Sequence, residues 1–150
     1  MAEKKGINVL FIYPNTFGMN MLPPAIAMFT SILKSKGHKI DIFDTTYYAI
    51  DYGIDSDGSK VEKLNVVPYS MESRGIRLKT SDWKVDLDNK VKTFKPDLIA
   101  ISSTEDMWEL AMDVIKEIKD YKIKNKIPVV AGGVFPTFAP DICIKNELVD

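Results

Sequence analysis

One cysteine and one histidine are all that the 150 residues contain of either type. A lone cysteine, Cys143, excludes a disulfide framework within the sequence, a Cys-x-x-x-Cys-x-x-Cys iron–sulfur site and a multi-cysteine zinc site. A lone histidine, His38, leaves no nucleophile–histidine pair to propose. Neither sign of charge is in excess: 20 Lys and Arg against 21 Asp and Glu give a net charge of -1. No broad basic field therefore points to nucleic acid or to an anionic membrane surface. No apolar run approaches the roughly 20 residues of a membrane span. The opening Met-Ala-Glu-Lys-Lys-Gly carries no signal-peptide h-region, so a cytoplasmic protein is expected. Phosphate-cradling loops are missing too, since neither G-x-G-x-x-G nor G-x-x-x-x-G-K-[ST] occurs.

What is present is an ordinary globular composition, 45% hydrophobic and 27% charged, long enough for one domain with a substantial core. Residues 7–13 are an apolar run, Asn8 apart, between Gly6 and Pro14, the pattern of a strand covered on both faces. Pro23 and Pro24 suit the first turn of a helix, which Ile26, Phe29 and Leu33 continue at i, i+3 and i+7. Gly37 is expected to close it in the left-handed conformation, and residues 39–44 read as the second strand. From about 45 to 82 the period dissolves into tyrosines, Gly53, an Asp55–Gly58 turn and Pro68. That stretch reads as an insertion with a short strand at 65–69.

Trp83, Leu87, Val91 and Phe94 then recur at helical spacing, with Pro96 as the stop. Residues 97–102 are the third strand. Met107, Leu110, Ala111, Val114, Ile118 and Tyr121 form one helical stripe, with Asp106 and Glu109 at capping-box spacing. The lysines of 116–126 read as a solvated helix face. Residues 128–131 give a fourth strand, Gly132-Gly133 a turn, and 139–146 a last helix. Strands alternating with helices through right-handed crossovers predict an α/β fold, a doubly wound parallel sheet of flavodoxin-like or Rossmann-like type in the order 2-1-3-4.

In such a sheet ligands bind outside the carboxyl ends of the strands, near the point where strand order reverses. Three loops fall there. They are Tyr13-Pro14-Asn15-Thr16-Phe17-Gly18, Ser102-Ser103-Thr104 with Glu105, and Gly132-Gly133-Val134-Phe135. Paired glycines let backbone approach a ligand closely, and a serine hydroxyl can donate to a ring nitrogen. The same residues also serve a tight strand–helix turn or a helix cap. Trp108, Phe135, Phe17 and Tyr13 suit the cover of a flat macrocycle or simple core packing. Glu105 and Asp106 suit either ligand amides or the dipole of the following helix. His38, between first helix and second strand, belongs to the opposite end of the sheet and reads as structural. Cys143 reads as a small buried apolar residue.

The chain resembles the N-terminal cobalamin-binding domain of cobalamin-dependent radical SAM enzymes. The resemblance is carried by Asn-Val-Leu-Phe-Ile-Tyr13-Pro, Leu22-Pro-Pro-Ala-Ile-Ala and Leu33-Lys-Ser-Lys-Gly-His-Lys-Ile-Asp-Ile-Phe-Asp44. It continues in Pro96-Asp-Leu-Ile-Ala-Ile-Ser102 and Pro128-Val-Val-Ala-Gly-Gly-Val-Phe-Pro-Thr137. The wider family carries D-x-H-x-x-G, S-x-L and G-G after the first, third and fourth strands. Here Tyr13 and Asn15 stand in place of the aspartate and the cobalt-ligating histidine, Gly18 is retained, and Thr104 replaces the leucine. The resemblance implies a cobalamin-binding module that places no histidine on cobalt. It implies a partner, a C-terminal radical SAM domain holding S-adenosylmethionine and a [4Fe-4S] cluster, in a parent that transfers methyl groups or rearranges carbon skeletons. No turnover is expected from these residues alone.

On this reading residues 1–150 are one domain of a longer enzyme, lacking a fifth strand, and the exposed fourth strand offers an edge for oligomerisation. The rivals are a flavodoxin-like flavin- or nucleotide-binding domain and an interaction domain with an empty cleft.

Overall fold

The computed structural model describes residues 6–16, 23–50, 63 and 72–150. Four strands form one parallel sheet: β1 (Asn8–Tyr13), β2 (Lys39–Asp44), β3 (Leu98–Ser102) and β4 (Val129–Gly132), in the order β2-β1-β3-β4. The strand order is the one expected from the sequence. Register runs Tyr13↔Asp44 between β1 and β2, Ile12↔Ile101 between β1 and β3, and Ser102↔Gly132 between β3 and β4. The three strand ends of interest are therefore level with one another.

Alternate residues of the same strands meet different surroundings. On one face Leu10, Ile12, Phe43, Ile99, Ile101 and Val129 pack into the larger core. That core is closed by α2 (Trp83–Phe94) through Leu87 and Val91, by α3 (Trp108–Glu117) through Leu110, Val114 and Ile115, and by α4 (Lys119–Asn125) through Tyr121. On the other face Val9, Phe11 and Tyr13 pack with Ile26 of α1 (Pro24–Ser35) into a smaller cluster. There Val130 is 44% exposed and Phe29 of α1 54% exposed.

Local chemistry accounts for the helix boundaries. Pro23 is extended and precedes Pro24 at the first helical position, where a missing N–H costs nothing. At the other end of α1, His38 N–H donates to Leu33 O and Gly37 N–H to Lys34 O, with Gly37 at φ 83°. This paired arrangement satisfies carbonyls that the helix leaves open. Asp82 caps α2 by accepting from Lys84 N–H at 2.8 Å. His38 Nδ1 accepts Ile7 N–H at 3.1 Å, at the amino end of β1 and away from the cleft.

Several expectations need correction. The long stripe after β3 is two helices, broken at Ile118 (φ -105°, ψ 15°). Lys122, four residues after buried Ile118 and bonded to its carbonyl through its own N–H, faces inward. Although it lies in the expected solvated run, it is buried, with Nζ 2.8 Å from Asp150 Oδ2 and 3.1 Å from Leu148 O. The Asp106–Glu109 capping box does not form, because Met107 is the capping residue and makes no side-chain cap bond. After β4 the chain enters α5 (Val134–Phe138) and α6 (Pro140–Cys143) in place of one helix over 139–146. Gly133 alone makes the turn, so the helix starts earlier than the glycine pair suggested.

Of the 45–82 insertion, Tyr48 forms a parallel bridge with Lys79 and Glu72–Arg74 is a single 3-10 turn. The strand expected at 65–69 lies outside the described residues. At the outer side of β4, Asp150 N–H donates to Val129 O and the Asp150 carboxylate accepts Val129 N–H. Among the described residues no helix is long and apolar enough to cross a membrane.

Candidate functional site

Tyr13 and Pro14 after β1, Ser102, Ser103 and Thr104 after β3, and Gly133 and Val134 after β4 line one cleft of about 430 Å³. Pro23 and Ala25 close it from α1, and Thr137 and Phe138 from α5. A second cavity of about 280 Å³ continues between α1 and the sparsely covered sheet face, lined by Phe11, Ile26, Ala100, Val130 and Gly132 among others. Ala25, Ser102 and Gly133 border both, so the two are contiguous. Their size and mixed lining, mostly apolar with a few hydroxyls, suit a small organic molecule.

A larger groove of about 730 Å³ lies beside β2 and α2. Several of its charges are already engaged: Lys90 with Asp41 at 2.8 Å, and Asp86 with the hydroxyls of Tyr48 and Ser81 at 2.8 and 2.7 Å. None of the three strand-end loops of the sequence reading enters it.

The two glycines have different duties. Gly133 sits at φ 97°, and a Cβ there would lie 2.6 Å from Ser103 O and 2.7 Å from Ser103 N. The loops after β3 and β4 touch backbone to backbone at this point, with Ser103 N–H donating to Gly132 O at 3.0 Å and Phe135 N–H to Ser103 O at 3.3 Å. A Cβ on Gly132 would meet only Ile101 O, at 3.7 Å. Gly133 is thus required by the fold, whereas Gly132 leaves space in the apolar cavity.

The hydroxyls differ in the same way. Ser103 Oγ donates to Thr104 O at 2.8 Å, and Thr137 Oγ1 to Gly133 O at 2.6 Å, so each of these hydroxyls is engaged within its own segment. Thr104 Oγ1 is buried with no hydrogen-bond partner, as is Thr16 Oγ1. Leaving such a group unmatched costs about 1–3 kcal/mol. Thr104 also lines the cleft, so a ligand polar atom is a partner within its reach after side-chain rotation. Burial, and secondarily the charge of Asp44, push the Tyr13 phenol up to about 12. It stays protonated, as a neutral ring beside the cleft.

Of the residues expected at the site, Tyr13, Ser102, Ser103, Thr104, Gly133 and Val134 line the cleft and Gly132 the adjoining cavity. Asn15, Thr16, Glu105, Trp108 and Phe135 line neither. Asn15, within the first loop, is completely buried. Trp108 packs on Phe135, ring centroids 5.5 Å apart, and against the larger core. Phe17 and Gly18 lie outside the described residues. Cys143 is buried, and burial pushes its thiol up. Pro23, Ala25, Thr137 and Phe138 were not singled out as site residues from the sequence. All four fall within or beside the Pro-Pro-Ala and Val-Phe-Pro-Thr segments that carried the resemblance. No group of three His, Cys, Asp or Glu side chains among the described residues could hold a metal ion.

No curated protein matches the chain. A solved structure does: the radical S-adenosylmethionine methyltransferase TsrM from Kitasatospora setae, with tryptophan substrate and a SAM analog bound. It is similar at 18% identity and a TM-score of 0.59, over 90% of this chain and 21% of that one. The chain thus spans about a fifth of that protein's length, and the likeness is one of fold. Residues 62–150 match the B12 binding domain family, a stretch that holds β3, β4 and both of their strand-end loops. With that match over more than half its length, the chain belongs to the B12-binding domain family.

Proposed function

We propose that the chain is the cobalamin-binding domain of a radical SAM enzyme and that it holds the cofactor without a histidine on cobalt. The observation that carries the reading is the contiguous cleft and cavity at the ends of β1, β3 and β4, with Gly132 leaving its inner wall open. The residues fit the cofactor. An apolar cavity suits an aromatic tail, Ser102 and Thr104 supply hydroxyls at its mouth, and the Tyr13 and Phe138 rings lie at the cleft for a corrin face. When bound, cobalamin supplies a cobalt centre able to carry a methyl group or electrons. The domain's own share is to bind and orient it.

The histidine-free feature rests on two placements. His38, the single histidine, bonds Ile7 N–H at the opposite end of β1. Asn15, at the position where the wider family carries its ligand, is buried and donates its side-chain amide to Thr46. The methyltransferase likeness supports a larger parent in which residues 1–150 act as one domain, with its insertion at 45–82. S-adenosylmethionine and the [4Fe-4S] cluster would be held elsewhere in that parent, since one cysteine cannot supply a cluster.

The test is to mix the protein with hydroxocobalamin, desalt it and record the absorption spectrum, with flavin mononucleotide in a parallel sample. Corrin absorption in the protein fraction is expected, with no retained flavin. The cob(II)alamin complex should give an electron paramagnetic resonance spectrum without nitrogen superhyperfine splitting from a protein imidazole. A yellow protein, or imidazole splitting, would defeat the first or second half of the reading respectively.

A further inference from the structure

The loop that follows β1 is held from behind by the loop that follows β2. Asn15 N–H donates to Thr45 Oγ1 at 2.8 Å, and Thr45 Oγ1 donates to Asn15 O at 2.7 Å. Thr45 N–H reaches Tyr13 O at 3.2 Å. The side chains continue the link: Asn15 Nδ2 donates to Thr46 Oγ1 at 3.0 Å, and Thr46 Oγ1 donates to Asp44 Oδ1, which also accepts Thr46 N–H at 2.9 Å. All donors along this line point the same way, from Asn15 to the carboxylate. Such a chain polarises itself and strengthens each bond in it. It runs through buried or half-buried positions, where an unmatched amide is costly.

None of Asp44, Thr45, Thr46 or Asn15 lines the cleft, whereas Tyr13 and Pro14, immediately before Asn15, do. We infer that Asp44, Thr46 and Asn15 form a positioning relay, by which the start of the insertion after β2 sets the cofactor-binding loop after β1. The inference rests on the cobalamin reading. It assigns to Asn15 a role other than contact with the cofactor. The amide suits that role, because position 15 must donate toward Thr46 while Thr46 donates to Asp44. A carboxylate of the same shape at position 15 would oppose both donations.

The experiment is a titration of hydroxocobalamin against wild type, Thr46→Val, Thr46→Ser and Asp44→Ala, with circular dichroism to establish folding. Thr46→Val keeps the shape and removes the hydroxyl. Its Kd should rise about tenfold, the scale of the hydrogen bonding lost with the Thr46 hydroxyl. Thr46→Ser should restore affinity to within about twofold, because it returns the hydroxyl alone. Asp44→Ala removes the far end of the relay while leaving the Asn15 and Thr46 side chains themselves in place, and should weaken binding in the same direction. A purely structural role would lower stability and leave the affinity of the folded Thr46→Val protein at the wild-type value. Folded Thr46→Val and Asp44→Ala proteins that bind as wild type would overturn the relay. Failure of wild type to retain cobalamin would instead defeat the cobalamin reading, and the relay's role in binding with it.

Discussion

The two faces of the sheet are built from the same four strands and have opposite uses. Leu10, Ile12, Ile99, Ile101 and Val129 point into a core sealed by three helices. Their neighbours Val9, Phe11, Ala100 and Val130 face α1 and an apolar cavity that opens into the strand-end cleft. Filled space stabilises a fold, because every atom there has dispersion partners and none touches water. Unfilled apolar space at a strand end contributes little to stability and is available to a ligand. The difference teaches which substitutions should act on folding and which on binding.

The largest effect is expected on the filled face. Leu110 is 1% exposed in the larger core, and Leu110→Ala should cost about 2–5 kcal/mol in urea unfolding. Whatever protein remains folded should bind hydroxocobalamin with little change in Kd. A large loss of affinity at unchanged stability would break the division between the faces.

Gly133→Val should follow, at about 1–3 kcal/mol for the backbone conformation alone, with the approach to Ser103 adding to it. Thermal melting checks this. A valine tolerated at that position would show that the contact between the β3 and β4 loops is not tight.

A smaller effect, on binding, is expected of Thr104→Val. Removing a buried hydroxyl that has no partner should leave stability unchanged or slightly raised, while cobalamin affinity falls by about 1 kcal/mol, read by titration. Equal affinity would mean that the hydroxyl does not serve the ligand.

The smallest effect concerns acid. The Asp150 carboxyl is held below its ordinary range mainly by Lys122 and then by Val129 N–H, and Asp86 by the Ser81 and Tyr48 hydroxyls. A carboxyl whose pKa is lowered by folding stabilises the protein above its unfolded value, about 3.9, and loses that contribution as pH falls toward the folded value. The melting temperature should therefore drop on acidification below about pH 4, and Asp150→Asn should flatten part of the drop. Both carboxyls are on or beside the filled face, so cobalamin affinity of the folded protein should not follow them.

The strands were legible because each is a short apolar run between breakers, and the parallel order followed from their alternation with helices. The three strand-end loops were legible for the same reason. What escaped the sequence is set by contacts between distant residues. Asn15 meets Thr45 and Thr46 thirty and thirty-one positions away, so nothing near it announced that its side chain turns from the cleft. Gly132 and Gly133 look alike as a pair, and only the approach of Ser103 separates the one needed for folding from the one that leaves room. Lys122 sits in a lysine-rich run, but it lies four residues after buried Ile118 and its charge is met by the distant Asp150 and Leu148 O. No proline or glycine marks the helix break at Ile118.

The most direct test of the open face as the cofactor's place is Gly132→Val, compared with wild type for retention of hydroxocobalamin after desalting. A Cβ has room there, with Ile101 O at 3.7 Å the nearest contact, and the valine methyls beyond it would occupy the cavity assigned to the tail. The account predicts a variant that melts near wild type and elutes without corrin absorption, beside a wild type that retains it. Equal corrin retention by both proteins would contradict it.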